Sequence, residues 1–237
     1  RQKHKSEWLK VNILVKLFWR FHKCNFRNIY RLLSILPSIM VEHYYTKKPT
    51  SPLRTTSVSF LFHGKNMTFL CASGVFSSKK IDTATALLLD HTQVQDCWAV
   101  LDLGCGIGVI GISIKKVFPS CAVTLSDVNQ RALQFAQKNA KKNSVDVVVV
   151  GCDLFAGFSE KQFDAIITNP PHHAGRELMY KLITEAPLYL KSGGVLQFVA
   201  SHNKGGSMLE KKMKEVFGNV STLVKKGGFR VYCSNKA

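Results

Sequence analysis

From residue 98 onward, short apolar runs alternate with longer amphipathic stretches. The runs at 98–103, 121–126, 146–150, 163–168 and 194–200 are nearly continuous in apolar residues. Strands buried on both faces read this way. Between them, apolar positions recur at helical spacing over 108–117, 129–142, 175–190 and 206–217. Strand–helix alternation with short links predicts a mostly parallel, doubly wound α/β sheet covered on both faces. The chain closes on two runs, 219–224 and 228–233, around Gly227-Gly228, which predicts an antiparallel hairpin. Upstream, 56–62 and 66–71 read as two short strands around His63-Gly64-Lys65, and a helix is expected over 81–91, begun by the charge of Asp82. Pro49 and Pro52 mark an extended entry to this region.

Residues 1–40 have a different texture. They carry nine basic residues within 1–39 against one acid, Glu7, while Leu14, Leu17, Phe18 and Phe21 recur at helical spacing. Two readings stand: a basic amphipathic extension that grips RNA or a membrane surface, or a segment that is non-native or disordered, with Met40 preceding a domain at 41–237. The extension accounts for +8 of the formal charge of +18, so the remainder is basic by itself. That balance favours a polyanionic partner, nucleic acid before others. Seven cysteines, an odd number with no Cys-x-x-Cys pair, argue against zinc and against a disulfide framework and suit a reducing cytoplasm. No apolar run approaches the ~20 residues of a membrane span.

Two motifs carry the chemistry. Val100-Leu-Asp-Leu-Gly-Cys-Gly-Ile-Gly108 reads as a buried strand entering a glycine turn and then a helix. Gly104, Gly106 and Gly108 allow a tight turn and a close approach of backbone to ligand. Such a turn alone is shared by nucleotide-binding folds of many kinds. The second motif, Asn169-Pro-Pro-His172, follows the apolar run at 165–167. Its two prolines fix φ and remove two N–H donors, so the Asn169 amide and the Pro170 carbonyl are held stiffly. Two such acceptors can hold the hydrogens of an exocyclic amine and aim its delocalised lone pair.

Together the motifs resemble the S-adenosylmethionine-dependent methyltransferases of the methyltransferase small-domain family, which includes ribosomal RNA guanine-N2 methyltransferases. The resemblance covers roughly residues 42–237. It rests on Gly74-Val-Phe-Ser77 with Asp82, Leu101-Asp-Leu-Gly-Cys-Gly106, Asp127, Ile167-Thr-Asn-Pro-Pro-His-His-Ala-Gly175 and Gly227-Gly-Phe-Arg-Val231. The opening His43-Tyr-Tyr-Thr-Lys-Lys-Pro-Thr-Ser51 is similar to that of an archaeal branch of the family. The resemblance implies the class I, Rossmann-like methyltransferase fold with a seven-stranded sheet. It also implies S-adenosylmethionine as donor and guanine N2, in ribosomal RNA, as acceptor.

On that basis Asp102 and the turn of Gly104, Cys105 and Gly106 are expected to face the methionine portion, with Asp102 holding its ammonium group directly or through water. Asp127 lies 23 residues past Gly104 and is expected to accept from both ribose hydroxyls, with Val128 and Asn129 beside it. Asp153 is expected to accept from the adenine amine while Leu154 packs on the ring. The bland alternative for each acid is a helix cap or a surface residue. Phe76 and Ser77 would edge the donor pocket, and Asn169, Pro170, Pro171 and His172 would hold the acceptor. His172, His173, Arg176 and Lys204 border the catalytic turn as candidate substrate contacts, with Lys225, Lys226 and Arg230 nearby; no metal site is expected of the two adjacent histidines. His172 stands where relatives often carry an aromatic or large apolar residue, and Ala84 where they often carry glycine. No degenerate duplicate domain is legible before residue 41. Two alternatives remain: methylation of a protein glutamine amide, and a non-catalytic RNA-binding protein of the same fold.

Overall fold

The computed structural model describes residues 55–72, 81–158, 163–170 and 175–237. All lie in the larger of the two units of the chain, Glu42–Ala237. The expected extension at 1–40, the entry prolines, and Phe76, Ser77, Pro171, His172 and His173 lie outside the described residues.

The described strands are β1 (Thr55–Phe62), β2 (Lys65–Ala72), β3 (Ala99–Leu103), β4 (Ala122–Asp127), β5 (Val148–Gly151), β6 (Phe163–Thr168), β7 (Leu190–Ser201), β8 (Ser221–Lys226) and β9 (Phe229–Asn235). The helices are α1 (Thr83–Asp90), α2 (Val109–Val117), α3 (Gln130–Lys142), α4 (Arg176–Tyr189) and α5 (Gly206–Phe217). Strands β1 and β2 form a separate hairpin, and the other seven form one sheet in the order β5-β4-β3-β6-β7-β9-β8. Strands β3 to β7 run parallel where they pair, and β9 is antiparallel to both β7 and β8.

The continuous apolar runs have the expected cause. Alternate side chains of each central strand enter different cores. Val100, Ala165, Ile167, Val195 and Val199 pack with α1, α2, α3 and the hairpin. Leu101, Leu103, Ile166, Leu196 and Phe198 pack with α4 and α5 on the opposite face. Both faces are therefore dry. The two-residue turns are those the pattern called for: Gly227 and Gly228 take φ of 58° and 80°, and His63 and Gly64 take 45° and 71°. Positive φ at both central positions suits the right-handed twist of a hairpin.

Two features differ from the pattern. Strand β7 begins at Leu190, four residues earlier than the apolar run, because Leu190 pairs Phe163 and Val195 pairs Ala165 across an irregular register. Gly194 makes this possible: a Cβ there would lie 2.9 Å from the Lys191 carbonyl oxygen. The second feature is the hairpin's anchor on α3. Asn139 Oδ1 accepts from the Leu70 amide at 2.7 Å, and its Nδ2 donates to the Leu70 and Ile107 carbonyls. Asn143 repeats this on Thr68, with both bonds at 3.0 Å. Each side-chain amide occupies the place of a peptide group in a neighbouring strand and satisfies the exposed edge of β2.

Candidate active site

The order of strands reverses at β3, whose neighbours β4 and β6 lead away in opposite directions. Ligands of open α/β sheets bind at such a point, outside the carboxyl ends of the strands. Here Asp102 of β3 sits opposite Ile167 of β6. Two residues further along each strand come Gly104 and Asn169. The glycine turn and the Asn-Pro turn thus leave adjacent strands, side by side.

On the β3–β4 side the turn is tied down by buried carboxylates. Asp127 ends β4 and is 4% exposed; its Oδ2 accepts from the Gly106 amide and its Oδ1 from the Asn129 amide, both at 2.8 Å. Burial pushes the Asp127 carboxyl up, against the pull of the backbone N–H groups of Asn129, Gly106 and Val128. Asp102 is fully buried and accepts from the Gly111 amide through Oδ2 at 2.8 Å, while Oδ1 has no partner among the described residues. Burial is the main reason its carboxyl is pushed up to about 7; the Gly111 N–H opposes this and the Asp127 charge adds to it. Gly111 brings α2 close enough for this contact: a Cβ there would lie 2.2 Å from Leu125 Cδ2 and 3.1 Å from Asp102 Cβ. Gly104 has φ of 70° and open space where a Cβ would stand. Gly108 also has a positive φ, 86°, and a Cβ there would in addition meet Ile112 at 2.8 Å and Leu125 at 3.1 Å, where α2 packs on β4. The Cys105 thiol is held well above its ordinary range by burial and by the two nearby acids, and stays protonated.

Asn129 is fully buried and caps α3, its side chain accepting from the Arg131 and Ala132 amides. Its acceptor is committed to the helix. Asp153 is exposed beyond the end of β5, and Leu154 beside it is half-buried with φ of 46°. These two stand at the same edge of the sheet as Asp127, which pairs with Gly151 in register.

On the β6 side Asn169 is half-buried and its side chain is gripped. Nδ2 donates to Thr85 Oγ1 at 2.8 Å and approaches Asp82 Oδ1 at 3.4 Å. Asp82 is the N-cap of α1, accepting from the Ala84 and Thr85 amides, and its Oδ2 also receives the Thr85 hydroxyl. This grouping joins residues 84 and 87 positions apart and was not legible in the sequence. The only available hint was the Asp-x-x-Thr cap pattern.

Cationic side chains gather at the same end of the sheet. Lys204 is exposed in the turn after β7, and Lys225 and Lys226 are exposed at the tip of the β8–β9 hairpin. Strand register brings these together: Ser201 pairs Phe229, which pairs Lys226, and the His202 amide donates to the Gly228 carbonyl at 3.0 Å. Arg230 is partly offset by Glu210 at 3.7 Å. Arg176 is exposed and, with Gly175, Glu177, Leu178 and Lys181, lines an open cleft at the start of α4.

The methyltransferase small domain model matches residues 66–233, which takes in both turns and every strand of the large sheet. The chain belongs to the methyltransferase small domain family. It is 34% identical over 200 residues to the uncharacterized protein YbxB of Bacillus subtilis, a match covering 83% of this chain and 100% of that one. It is 38% identical over 172 residues to ribosomal RNA small subunit methyltransferase C of Haemophilus influenzae, covering 71% of this chain and 51% of that protein. Among solved structures it is similar to the T. thermophilus 16S rRNA N2 methyltransferase RsmC in complex with AdoMet and guanosine. That match has a TM-score of 0.68 and 27% identity, and covers 80% of this chain and 52% of the other. The chain therefore spans about half the length of the ribosomal RNA methyltransferases it matches. A methyltransferase from Pyrococcus furiosus, at 24% identity and a TM-score of 0.57, shares the fold. The methyltransferase domain has the class I S-adenosylmethionine-dependent fold, with its antiparallel strand β9 between β7 and β8. No helix among the described residues is long and apolar enough to cross a membrane.

Proposed function

We propose that this chain transfers a methyl group from S-adenosylmethionine to an exocyclic amine of RNA, guanine N2 of ribosomal RNA in particular. The observation that carries the reading is the emergence of Gly104 and Asn169 from adjacent parallel strands at the point where strand order reverses. A donor seated over the first turn lies within reach of an acceptor held by the second. The resemblance to proteins that modify ribosomal RNA, one of them solved with AdoMet and guanosine, supports the choice of substrate. The basic end of the sheet suits phosphate contact, and a cytoplasmic setting goes with such a substrate.

The donor fits the residues present. Gly104 offers open space above its backbone, and the unpartnered Oδ1 of Asp102 is a buried anion-forming oxygen suited to an ammonium group. Asp127, held by two backbone amides, keeps lone pairs for ribose hydroxyls. Gly104, Cys105, Gly106, Asp127, Val128, Asp153 and Leu154 would line the donor seat, and Phe76 and Ser77 its edge. When bound, the donor supplies an electrophilic methyl on a sulfonium: the amine lone pair forms the C–N bond as the C–S pair returns to sulfur. Asn169 Oδ1 and the Pro170 carbonyl accept the two amine hydrogens and point the lone pair at that methyl. The positive charge that builds on nitrogen is stabilised by the same two acceptors, and the proton leaves to water afterwards. His172 would stack on the base, which leaves the duplex to reach the site. His173, Arg176 and Lys204 would contact the nucleic acid around it.

The test is mass-spectrometric mapping of methylated nucleosides and peptides after incubating the protein and labelled S-adenosylmethionine with ribosomal RNA and, in parallel, with release-factor protein. N2-methylguanosine carrying the label is the expected product. Label appearing instead on a glutamine amide of release-factor protein, or no heat of donor binding by calorimetry, would overturn the reading.

A further inference from the structure

Asn169 can act as an acceptor only if its amide is turned the right way. A primary amide is nearly symmetric in shape, so nothing about a stiff proline turn chooses between Oδ1 and Nδ2 pointing outward. The choice is made from α1. The Thr85 hydroxyl has one proton, and it goes to Asp82 Oδ2. That leaves only acceptor lone pairs for Asn169, 2.8 Å away, and Asp82 Oδ1 adds a second acceptor at 3.4 Å. The inverted amide would set its oxygen against two acceptors, one of them charged. Thr85 is 2% exposed, so water does not substitute for it.

We infer that Asp82 and Thr85 are positioning residues for methyl transfer: through the helix cap of α1 they hold Asn169 with its amide oxygen toward the acceptor amine. The inference rests on the proposed role of Asn169. Its consequence is that α1, which contributes no group to the reaction, decides the hydrogen-bonding sense of the catalytic turn. The negative charge of Asp82 also polarises the amide through Thr85, making Oδ1 a better acceptor as charge grows on the amine.

Thr85→Val keeps the shape and removes the hydroxyl, whereas Thr85→Ser keeps the hydroxyl. With labelled donor and ribosomal RNA, we expect Thr85→Val to lower kcat about 10-fold or more with donor affinity unchanged, and Thr85→Ser to stay within about 3-fold of the parent. Asp82→Asn retains a good helix cap but cannot accept at both atoms, and falls between them. In the Asn169→Ala background, Thr85→Val should cost nothing further, which a purely structural role would not produce. Additive losses, or full turnover in Thr85→Val, would overturn the inference. A readout independent of substrate separates this failure from failure of the proposed activity. The Asn169 side-chain amide resonance, assigned by its loss in Asn169→Ala, should shift in Thr85→Val and hold in Thr85→Ser whether or not RNA is methylated. An unmoved resonance in Thr85→Val would refute the hydrogen bond itself.

Discussion

The two sides of the cleft are built on different principles. On the β3–β4 side the groups are backbone amides and carboxylates, closed over by α2 and α3 and almost fully buried. On the β6–β7 side they are side chains, half-buried or exposed, and the basic ones stand at the ends of strands and helices. The first side is held largely by backbone amides, those of the glycine turn and of the starts of α2 and α3, which bind the acids at the strand ends. The second needs a partner element to orient Asn169, and α1 supplies it. Under the proposed function the buried side would seat the donor and the assembled side would hold the acceptor, a division that suits a transferase whose one substrate is small and fixed and whose other is large and variable.

Several substitutions would break or sharpen this contrast. The largest effect is expected from Asn169→Ala, which should lower turnover by about 10² or more while leaving donor affinity within a few-fold. Steady-state kinetics together with calorimetry would check it, and equal turnover would remove the turn from the chemistry. Asp127→Ala should act on the other side. Donor binding should weaken by about 10-fold or more, and the loss of an acceptor for two buried amides should cost ~1–3 kcal/mol of stability. Donor titration and denaturant unfolding would measure the two separately.

A third expectation concerns pH. Asp102 has its carboxyl pushed up to about 7 in the fold, chiefly by burial, whereas in an unfolded chain it titrates near ~3.9. The folded state therefore holds a proton that the unfolded state has lost between those values. Stability should fall as pH rises through that window and level off above it. The raised carboxyl of Asp127 slopes the same way. Asp102→Asn removes the larger contribution, so its unfolding free energy should depend on pH less steeply between pH 4 and 7 than the parent's. An unchanged pH dependence of the unfolding free energy would count against the raised carboxyl of Asp102. Because an ammonium group prefers the ionised form, donor affinity in the parent should also rise over the same range. The smallest effect belongs to the exposed side. Lys225→Ala and Lys226→Ala should each weaken RNA binding only a few-fold, and each should reduce the salt dependence by about one unit of slope. Filter binding at graded salt would show it; a sequence-selective loss would mean base contact instead.

Much of this was legible in the chain itself. The parallel strands of the sheet announced themselves as unbroken apolar runs, because both of their faces are dry. The hairpin turns were marked by Gly227-Gly228 and by Gly64. The glycine turn and the Asn-Pro turn were visible as local motifs, since each works through its own backbone. What escaped were contacts made across long stretches of chain. Asn139 and Asn143 seal the edge of β2 from across the chain, a role that nothing in their local sequence marks. Gly111 looked like one more small residue, yet it lets Asp102 reach the helix. Asn129 was expected beside the donor, and the structure adds that its side chain caps α3.

The order of apolar and polar residues determined which segments are strands and helices, and the motifs marked which strand ends carry the candidate site residues, because both are properties of neighbouring residues. Tertiary structure decided that β3 and β6 lie side by side, that Asp102 is fully buried, and that Asn169 meets Thr85. Each of these depends on strand order and on which helix covers which edge. Those are set by the packing of the whole sheet, where residues far apart in sequence meet at hydrogen-bonding distance.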